Sequence, residues 1–284
     1  DIGYITLPKF YAVFENEDGR SSYEDVKKEV EKLMKSNVKG IILDLRNNSG
    51  GSLNDVVQMS GLFIEEGPIV QVKGRDKAPV ILSDKDDRVV YTGPLVVMVN
   101  TQSASASEIL AAALQDYGRA VIVGSQSTFG KGTVQRFYEL DKVVPGFEDL
   151  KPLGDVKLTM QKFYRINGGS TQLKGVIPDI NLPDNHQFIA AGEKELDYPM
   201  EWTEISPVEY DQEIVRLNSL DAIKRRSENR IKASPQFEKV IANALRIKET
   251  RDQSVIPLQL DEYRALDPDR EQESEAFKKA FGPI

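Results

Sequence analysis

Nucleophilic catalysis needs a hydroxyl, thiol or amine beside a group that can take its proton. This chain has no cysteine and a single histidine, so the choice is narrow. The segment Ser103-Ala104-Ser105-Ala106-Ser107-Glu108 offers three serines at alternate positions. It lies between the apolar runs Leu95 to Val99 and Ile109 to Leu114. If the first run is a strand and the second a helix, Ser105 falls at their junction and Ala106 at the helix N-terminus. Backbone N–H groups there lack intrahelical partners. Such a junction presents an exposed hydroxyl beside a ready anion site, and acyl transfer uses both. The flanking alanines keep bulk away from an attacked carbonyl. On a helix, 103 and 107 share a face while 105 points elsewhere. Capping or helix-start packing accounts for Ser103 and Ser107. The plainer reading of the whole stretch is a small-residue helix start packed on a strand.

A base must then be found. His186 lies in the polar stretch Pro183-Asp184-Asn185-His186, which reads as a solvated linker and suits a Ser-His-Asp triad poorly. The nearest other candidate is Lys131, in Thr128-Phe129-Gly130-Lys131-Gly132-Thr133. It follows the next apolar run, so adjacent strand ends could bring it beside Ser105. A lysine accepts a proton only when neutral, and its ordinary pKa near 10.4 must fall to roughly 7–8. That fall is worth about 4 kcal/mol, which burial can supply. No carboxylate flanks Lys131 directly; its plainer role is a surface lysine between two strands. Gln135 would share a strand face with Lys131 and could orient the amine. The turn Asn47-Asn48-Ser49-Gly50-Gly51 could bring a second amide to an oxyanion, or could simply be a tight strand-to-helix turn. A phosphate loop over Gly124 to Lys131 fails. Its glycines are five residues apart where four are needed, Gly132 replaces the magnesium-binding hydroxyl, and a strand follows.

The elements that must position these residues alternate. Gly3 to Leu7 reads as a strand closed by Pro8. Ser22 reads as the cap of a helix whose apolar face is Tyr23, Val26, Val30 and Leu33. Ile41 to Leu43 is a doubly buried strand, Leu53 to Phe63 a helix and Ile69 to Val72 a strand. Asp84 to Arg88 is a charged loop. Leu95 to Val99 is a strand, then a helix runs to about Tyr117 with Gly118 as its stop, and Ala120 to Val123 is another strand. Strand, small-residue turn, helix, strand thus recurs, which predicts an α/β fold with a largely parallel or mixed sheet. Thr133 to Leu140, Val156 to Tyr164 and Val176-Ile177 read as strands completing that sheet. From about residue 184 the chain turns charged and helical. Ser234-Pro235 is a strong helix start, with Phe237, Val240, Ile241, Ala244 and Leu245 as one stripe, and Glu271 to Lys279 reads as a solvated helix.

Composition removes whole classes. The net charge of −8 makes nucleic acid an unexpected partner. No apolar run approaches the roughly 18 residues of a membrane span. Absence of cysteine excludes thiolate metal sites and disulfides, and one histidine leaves no ordinary zinc site. The first residue is Asp1 and no leader is visible, so an excised fragment is expected.

Four segments in order resemble the tail-specific, or C-terminal processing, serine proteases: LDLRNNSGG at 43–51, SASASEILAAALQDYGRA at 103–120, FGKGTVQ at 129–135 and KFYRINGGSTQLKGVIPDI at 162–180. The last is similar to the longer bacterial periplasmic branch, as is the helical tail. The resemblance implies a crotonase-like α/β sheet-and-helix core over 1–183, followed by a mostly helical C-terminal domain over 184–284. It implies Ser105 as nucleophile, Lys131 as general base and Gln135 as its helper. Ala106 and Gly50 or Gly51 would supply the oxyanion-hole amides. Asp116 matches a position of importance, read as structural support. The implied activity is a serine endopeptidase acting through an acyl-enzyme, with no metal or organic cofactor. Its implied partners are protein or peptide substrates with apolar C-termini, with room for adaptor or envelope proteins. The implied location is the periplasm or cell envelope. Two departures stand out. The loop GSQSTFGKG is one residue longer than the family's usual form, and the sequence is expected to be a fragment without the family's PDZ domain and N-terminal region. A crotonase-like acyl-CoA enzyme and an inactive binding module on the same fold are the alternatives. The first should show basic residues for the nucleotide and an acid/base carboxylate, and the SASASE–FGKG pair argues against it; the intact Ser105, Lys131 and Gln135 argue against the second.

Overall fold

The computed structural model describes residues 1–12, 20–210 and 219–265. The first half alternates as the sequence predicts: β1 (Gly3–Thr6), α1 (Ser22–Lys35), β2 (Ile41–Asp44), α2 (Leu53–Ser60), β3 (Gly67–Gly74), β4 (Val80–Asp84), β5 (Leu95–Val99), α3 (Ala106–Asp116) and β6 (Val121–Gly124). Strands β1, β2, β5 and β6 are neighbours in that order and pair in parallel. Ile41, Leu43, Leu95, Val97 and Val99 are buried on one face, while Ile42, Val96 and Met98 on the other are half-buried, so the doubly buried strand expected at Ile41 to Leu43 is fully covered on one face only. The carboxyl ends of β2 and β5 therefore lie side by side, and each feeds a turn into a helix. At the end of β2 burial works against the charge of Asp44. The Arg46 guanidinium and the Tyr4 hydroxyl nevertheless hold its carboxyl below the ordinary range.

Helix α1 is capped by Ser21, one residue before the expected Ser22. The reason lies outside the helix. Ser21 Oγ, Ser22 Oγ and the Tyr23 N–H all donate to Asp55, at 2.8, 2.8 and 3.1 Å. Ser52 Oγ, the cap of α2, donates to the same carboxylate at 2.9 Å. One buried carboxylate thus ties together two helix starts. Val26 and Val30 are buried, with Tyr23 and Leu33 packed beside them, on the face the sequence predicts. Helix α2 stops at Ser60, three residues short of the expected Phe63.

Two of the later strands do not join the parallel sheet. β7 (Thr133–Glu139) is followed by one helical turn, α4 (Leu140–Val143), and then by β8 (Asp155–Tyr164). These strands join β3 and β4 in a separate antiparallel sheet, ordered β4-β3-β8-β7. The reason is local: β7 and β8 pair over seven residues of β7, and antiparallel neighbours satisfy each other directly. β4 occupies residues just before the charged loop, where no strand was expected. Val176-Ile177 is not a strand, and β9 (Ile180–Asn181) lies slightly later.

The chain divides into two compact units, Asp1–Asp179 with Ala191–Leu220, and Ile180–Ala190 with Asp221–Ile284. The chain thus passes between units more than once, rather than once near residue 184. In the first unit Ala191 to Tyr210 returns to the core without regular helix beyond one 3-10 turn, Glu193–Glu195. The second unit contains α5 (Leu220–Lys232, whose first residue belongs to the first unit), α6 (Pro235–Asp252) and α7 (Leu260–Ala265). Ser234 holds the N-cap position of α6 with proline in the first turn, as expected, but its hydroxyl donates to Gln236 Oε1 at 3.0 Å and makes no capping hydrogen bond. Ala244 is buried, but Leu245, expected on the same stripe, is exposed. The expected helix 271–279 lies outside the described residues. No helix among the described residues is long and apolar enough to cross a membrane.

Candidate active site

Ser105 lies where the sequence predicts, as the residue before α3, on the connection from β5. Its backbone is at φ 55° and ψ −111°, a region that L-residues rarely occupy. Strain of this kind costs about 1–3 kcal/mol and persists only where neighbours over-determine it. The two flanking serines are part of that determination. Ser103 Oγ donates to the Leu45 carbonyl at 2.8 Å and Ser107 Oγ to the Asn48 carbonyl at 2.8 Å. Both are buried, and both fasten the helix start to the turn that follows β2.

That turn passes directly under Ser105. A Cβ placed on Gly50, at φ 98°, would meet Ser105 Cβ and the Ala104 carbonyl oxygen at 2.8 Å. Glycine is therefore required for the backbone to approach the serine so closely. The Gly50 N–H is already engaged, donating to Asn48 Oδ1 at 2.9 Å. Among the described residues, neither the Gly51 nor the Ala106 N–H has a protein acceptor. Of the two glycines, Gly51 alone keeps its amide available.

The loop carrying Lys131 leaves β6 and is held from two sides. On one side, the Phe129 N–H donates to the Ser103 carbonyl at 3.0 Å. On the other, the segment 170–173 grips it. The Leu173 N–H donates to the Gly130 carbonyl at 2.8 Å, and the Gly132 N–H donates to Gln172 Oε1 at 2.8 Å. A Cβ on Gly132 would meet Ser170 Oγ at 2.6 Å. Lys131 Nζ donates to Gln135 Oε1 at 3.2 Å, and Gln135 Nε2 donates to Thr159 Oγ1 at 3.4 Å. The strand register shifts between Val134 and Gln135, a local irregularity beside the site. No hydrogen bond among the described residues joins Ser105 Oγ to Lys131 Nζ. Proton-transfer contacts are often long in a substrate-free site.

Glu108 links the two halves. It is fully buried and accepts four hydrogen bonds. Oε2 takes the Ser105 N–H at 2.8 Å and the Lys131 N–H at 2.9 Å. Oε1 takes the Gly130 N–H at 2.7 Å and the Thr128 hydroxyl at 2.6 Å. Burial pushes its carboxyl up to about 7, against the opposite pull of those four donors. Sequence reasoning assigned this residue no role, although Ser105-x-x-Glu108 has the spacing of a capping box.

Asp116, at the end of α3, accepts from Arg165 at 2.6 and 3.0 Å and from Asn167 at 3.0 Å. Burial raises its carboxyl despite the guanidinium. It is a helix-to-turn tie at the opposite end of α3 from Ser105. His186 is exposed on a turn of the second unit.

Parallel strands with their helices, beside a second antiparallel sheet, define an α/β fold, with a strained serine at a helix start and a loop pinned to that start. The chain belongs to peptidase family S41, whose match covers residues 1–182. Residues 187–281 match the C-terminal domain of tail specific protease. A tail-specific protease of Haemophilus influenzae is 41% identical over 263 residues, covering 91% of this chain and 36% of the relative. A carboxy-terminal-processing protease of Bartonella bacilliformis is 37% identical over 204 residues, covering 69% and 43%. This chain therefore spans less than half the length of either relative. A solved photosystem II D1 C-terminal processing protease superposes with a TM-score of 0.53 at 30% identity, covering 64% of this chain and 42% of its own.

Proposed function

We propose that this chain carries the catalytic centre of a serine endopeptidase with a Ser105/Lys131 dyad. The observation that carries the reading is the pairing of a strained Ser105 at the start of α3 with a lysine whose own N–H shares an acceptor oxygen with the Ser105 N–H. Two elements distant in sequence are thereby pinned within two hydrogen-bond lengths of each other.

In the proposed reaction, Ser105 Oγ attacks the scissile carbonyl while neutral Lys131 takes the hydroxyl proton. The carbonyl oxygen becomes an oxyanion, received by the Ala106 and Gly51 N–H groups. Collapse of the tetrahedral intermediate expels the amine, which takes the proton from Lys131, and leaves an acyl ester on Ser105. Lys131 then deprotonates a water that hydrolyses the ester. Gln135 accepts a hydrogen bond from the lysine amine and aims it. Asp116 supports the far end of α3. Residues 1–183 form the protease core in this reading and 184–284 an appended domain. Substrates are proteins or peptides with apolar C-termini, and adaptor or envelope proteins would be further partners. A periplasmic or envelope location follows from the resemblance to the longer bacterial branch, and the relatives' names speak for tail recognition.

The test is cleavage of an unfolded protein and of an apolar-tailed peptide, followed by mass spectrometry of the products. Ser105→Ala should reduce cleavage to background, and Lys131→Ala should lower kcat about a thousandfold. Cleavage retained by either variant would overturn the dyad.

A further inference from the structure

We propose that Glu108 is a positioning residue for catalysis, a buried carboxylate that fixes nucleophile and base in one frame without touching the substrate. The proposal rests on the Ser105/Lys131 reading above. Ser105 belongs to the β5–α3 connection and Lys131 to the loop after β6. Their side chains share no hydrogen bond among the described residues, so something else must set their separation. Glu108 Oε2 receives both backbone N–H groups, at 2.8 and 2.9 Å. Oε1 receives the neighbouring Gly130 N–H and the Thr128 hydroxyl.

The residue type follows from this geometry. Three of the four donors are backbone amides, which cannot turn away or become acceptors. Only an ionised carboxylate offers acceptors alone, on two oxygens. Hydrogen bonds to an ionised group are also about twice as strong as neutral ones. That strength offsets the positive φ of Ser105, a conformation that must be held from outside. Glutamine would keep one oxygen and turn an NH₂ group towards the donors of the other, losing both amide bonds if the nitrogen took the Oε2 place and the Gly130 bond if it took the Oε1 place, where the Thr128 hydroxyl could turn to accept. Aspartate is one methylene shorter and would draw the carboxylate back from all four.

The experiment compares wild type with Glu108→Gln for peptide cleavage. Active sites are titrated with a fluorophosphonate that labels Ser105, and thermal stability is measured in parallel. The expected result is a kcat per titrated site lower by about 100-fold, the usual consequence of displacing reacting groups by about 1 Å, with KM within about threefold. A purely architectural Glu108 would lower the melting temperature and leave kcat per titrated site unchanged, and that result overturns the proposal. If Glu108→Gln does not fold, Thr128→Val replaces it. This variant removes one donor from Oε1 and also leaves the Val176 N–H, which donates to Thr128 Oγ1 at 2.7 Å, without its acceptor. Its kcat per titrated site should fall about tenfold, equivalent to one lost hydrogen bond; an unchanged value overturns the proposal. Cleavage surviving in Ser105→Ala would sink the dyad reading itself. Cleavage lost in Ser105→Ala but undiminished in Glu108→Gln sinks only the role of Glu108.

Discussion

At the scale of single residues, Glu108 faces two opposing demands. Its folded-state carboxyl titrates at about 7, above the ordinary value of 4.5, because burial disfavours its charge. The folded chain therefore binds a proton more readily there than the unfolded chain does. Its contribution to stability is fully present below the ordinary value and is lost as pH rises through about 7. The ionised form that best accepts four donors is thus the form that burial disfavours. Urea unfolding of wild type and Glu108→Gln, measured at about pH 5 and about pH 7, should show wild type losing stability relative to the variant at the higher pH. A parallel pair of profiles would contradict this. Two readings came from residue types and spacing alone, Ser105 as the odd serine and Ser103 and Ser107 as structural, whereas Asp116 was singled out by the family resemblance. Glu108 was legible from neither, because a glutamate near a helix start ordinarily faces solvent. Nothing in the linear order says that a loop beyond the next strand will close over it. The choice between Gly50 and Gly51 was open for a similar reason, since it depends on where the Asn48 side chain turns.

At the scale of elements, the site is a meeting of two turns at the carboxyl ends of β2 and β5. The closeness of that meeting makes Gly50 a sensitive position. Gly50→Ala would set a methyl against Ser105 Cβ at 2.8 Å and force a strained φ on a residue with a side chain. We expect a destabilisation of about 2 kcal/mol and at least a tenfold loss of kcat, read by calorimetry and by peptide cleavage. Gly51 lacks that contact with the serine, so a variant of Gly50 that kept wild-type kcat would show that the turn does not brace the nucleophile. The parallel strands and their helices were legible because each is a short apolar run followed by small residues and an amphipathic stretch. The second sheet was not. β7 and β8 read correctly as strands, but alternation along a strand does not name its partner, and the pairing with β3 is long-range. The Ser22 cap was misplaced by one residue because Asp55, from another helix, captures both serines.

At the scale of the whole molecule, the first unit is completed by residues from beyond the expected boundary. The Trp202 indole donates to the Ser170 carbonyl at 2.8 Å, and the Lys174 amine lies 3.4 Å from the centre of its ring. Gln172 Nε2 donates to the Met200 carbonyl at 3.0 Å, the Glu193 N–H to the Phe129 carbonyl at 2.9 Å, and the Tyr210 hydroxyl to the Asp116 carbonyl at 3.1 Å. Three of these partners, Ser170, Gln172 and Phe129, belong to the segments that meet in the Lys131 loop. A chain stopped after residue 183 should therefore melt lower than one stopped after residue 220, and should label more slowly with a serine-directed phosphonate. Equal behaviour would show that the returning segment is dispensable. The same arrangement orders events in time during synthesis. A ribosome delivers Ser105, Lys131 and Glu108 well before Trp202 and Tyr210, and domains settle as units while the chain emerges. The nascent chain thus holds Ser105, Lys131 and Glu108 before it holds the residues that brace their loops. The last of those bracing residues, Tyr210, follows Lys131 by some 80 residues.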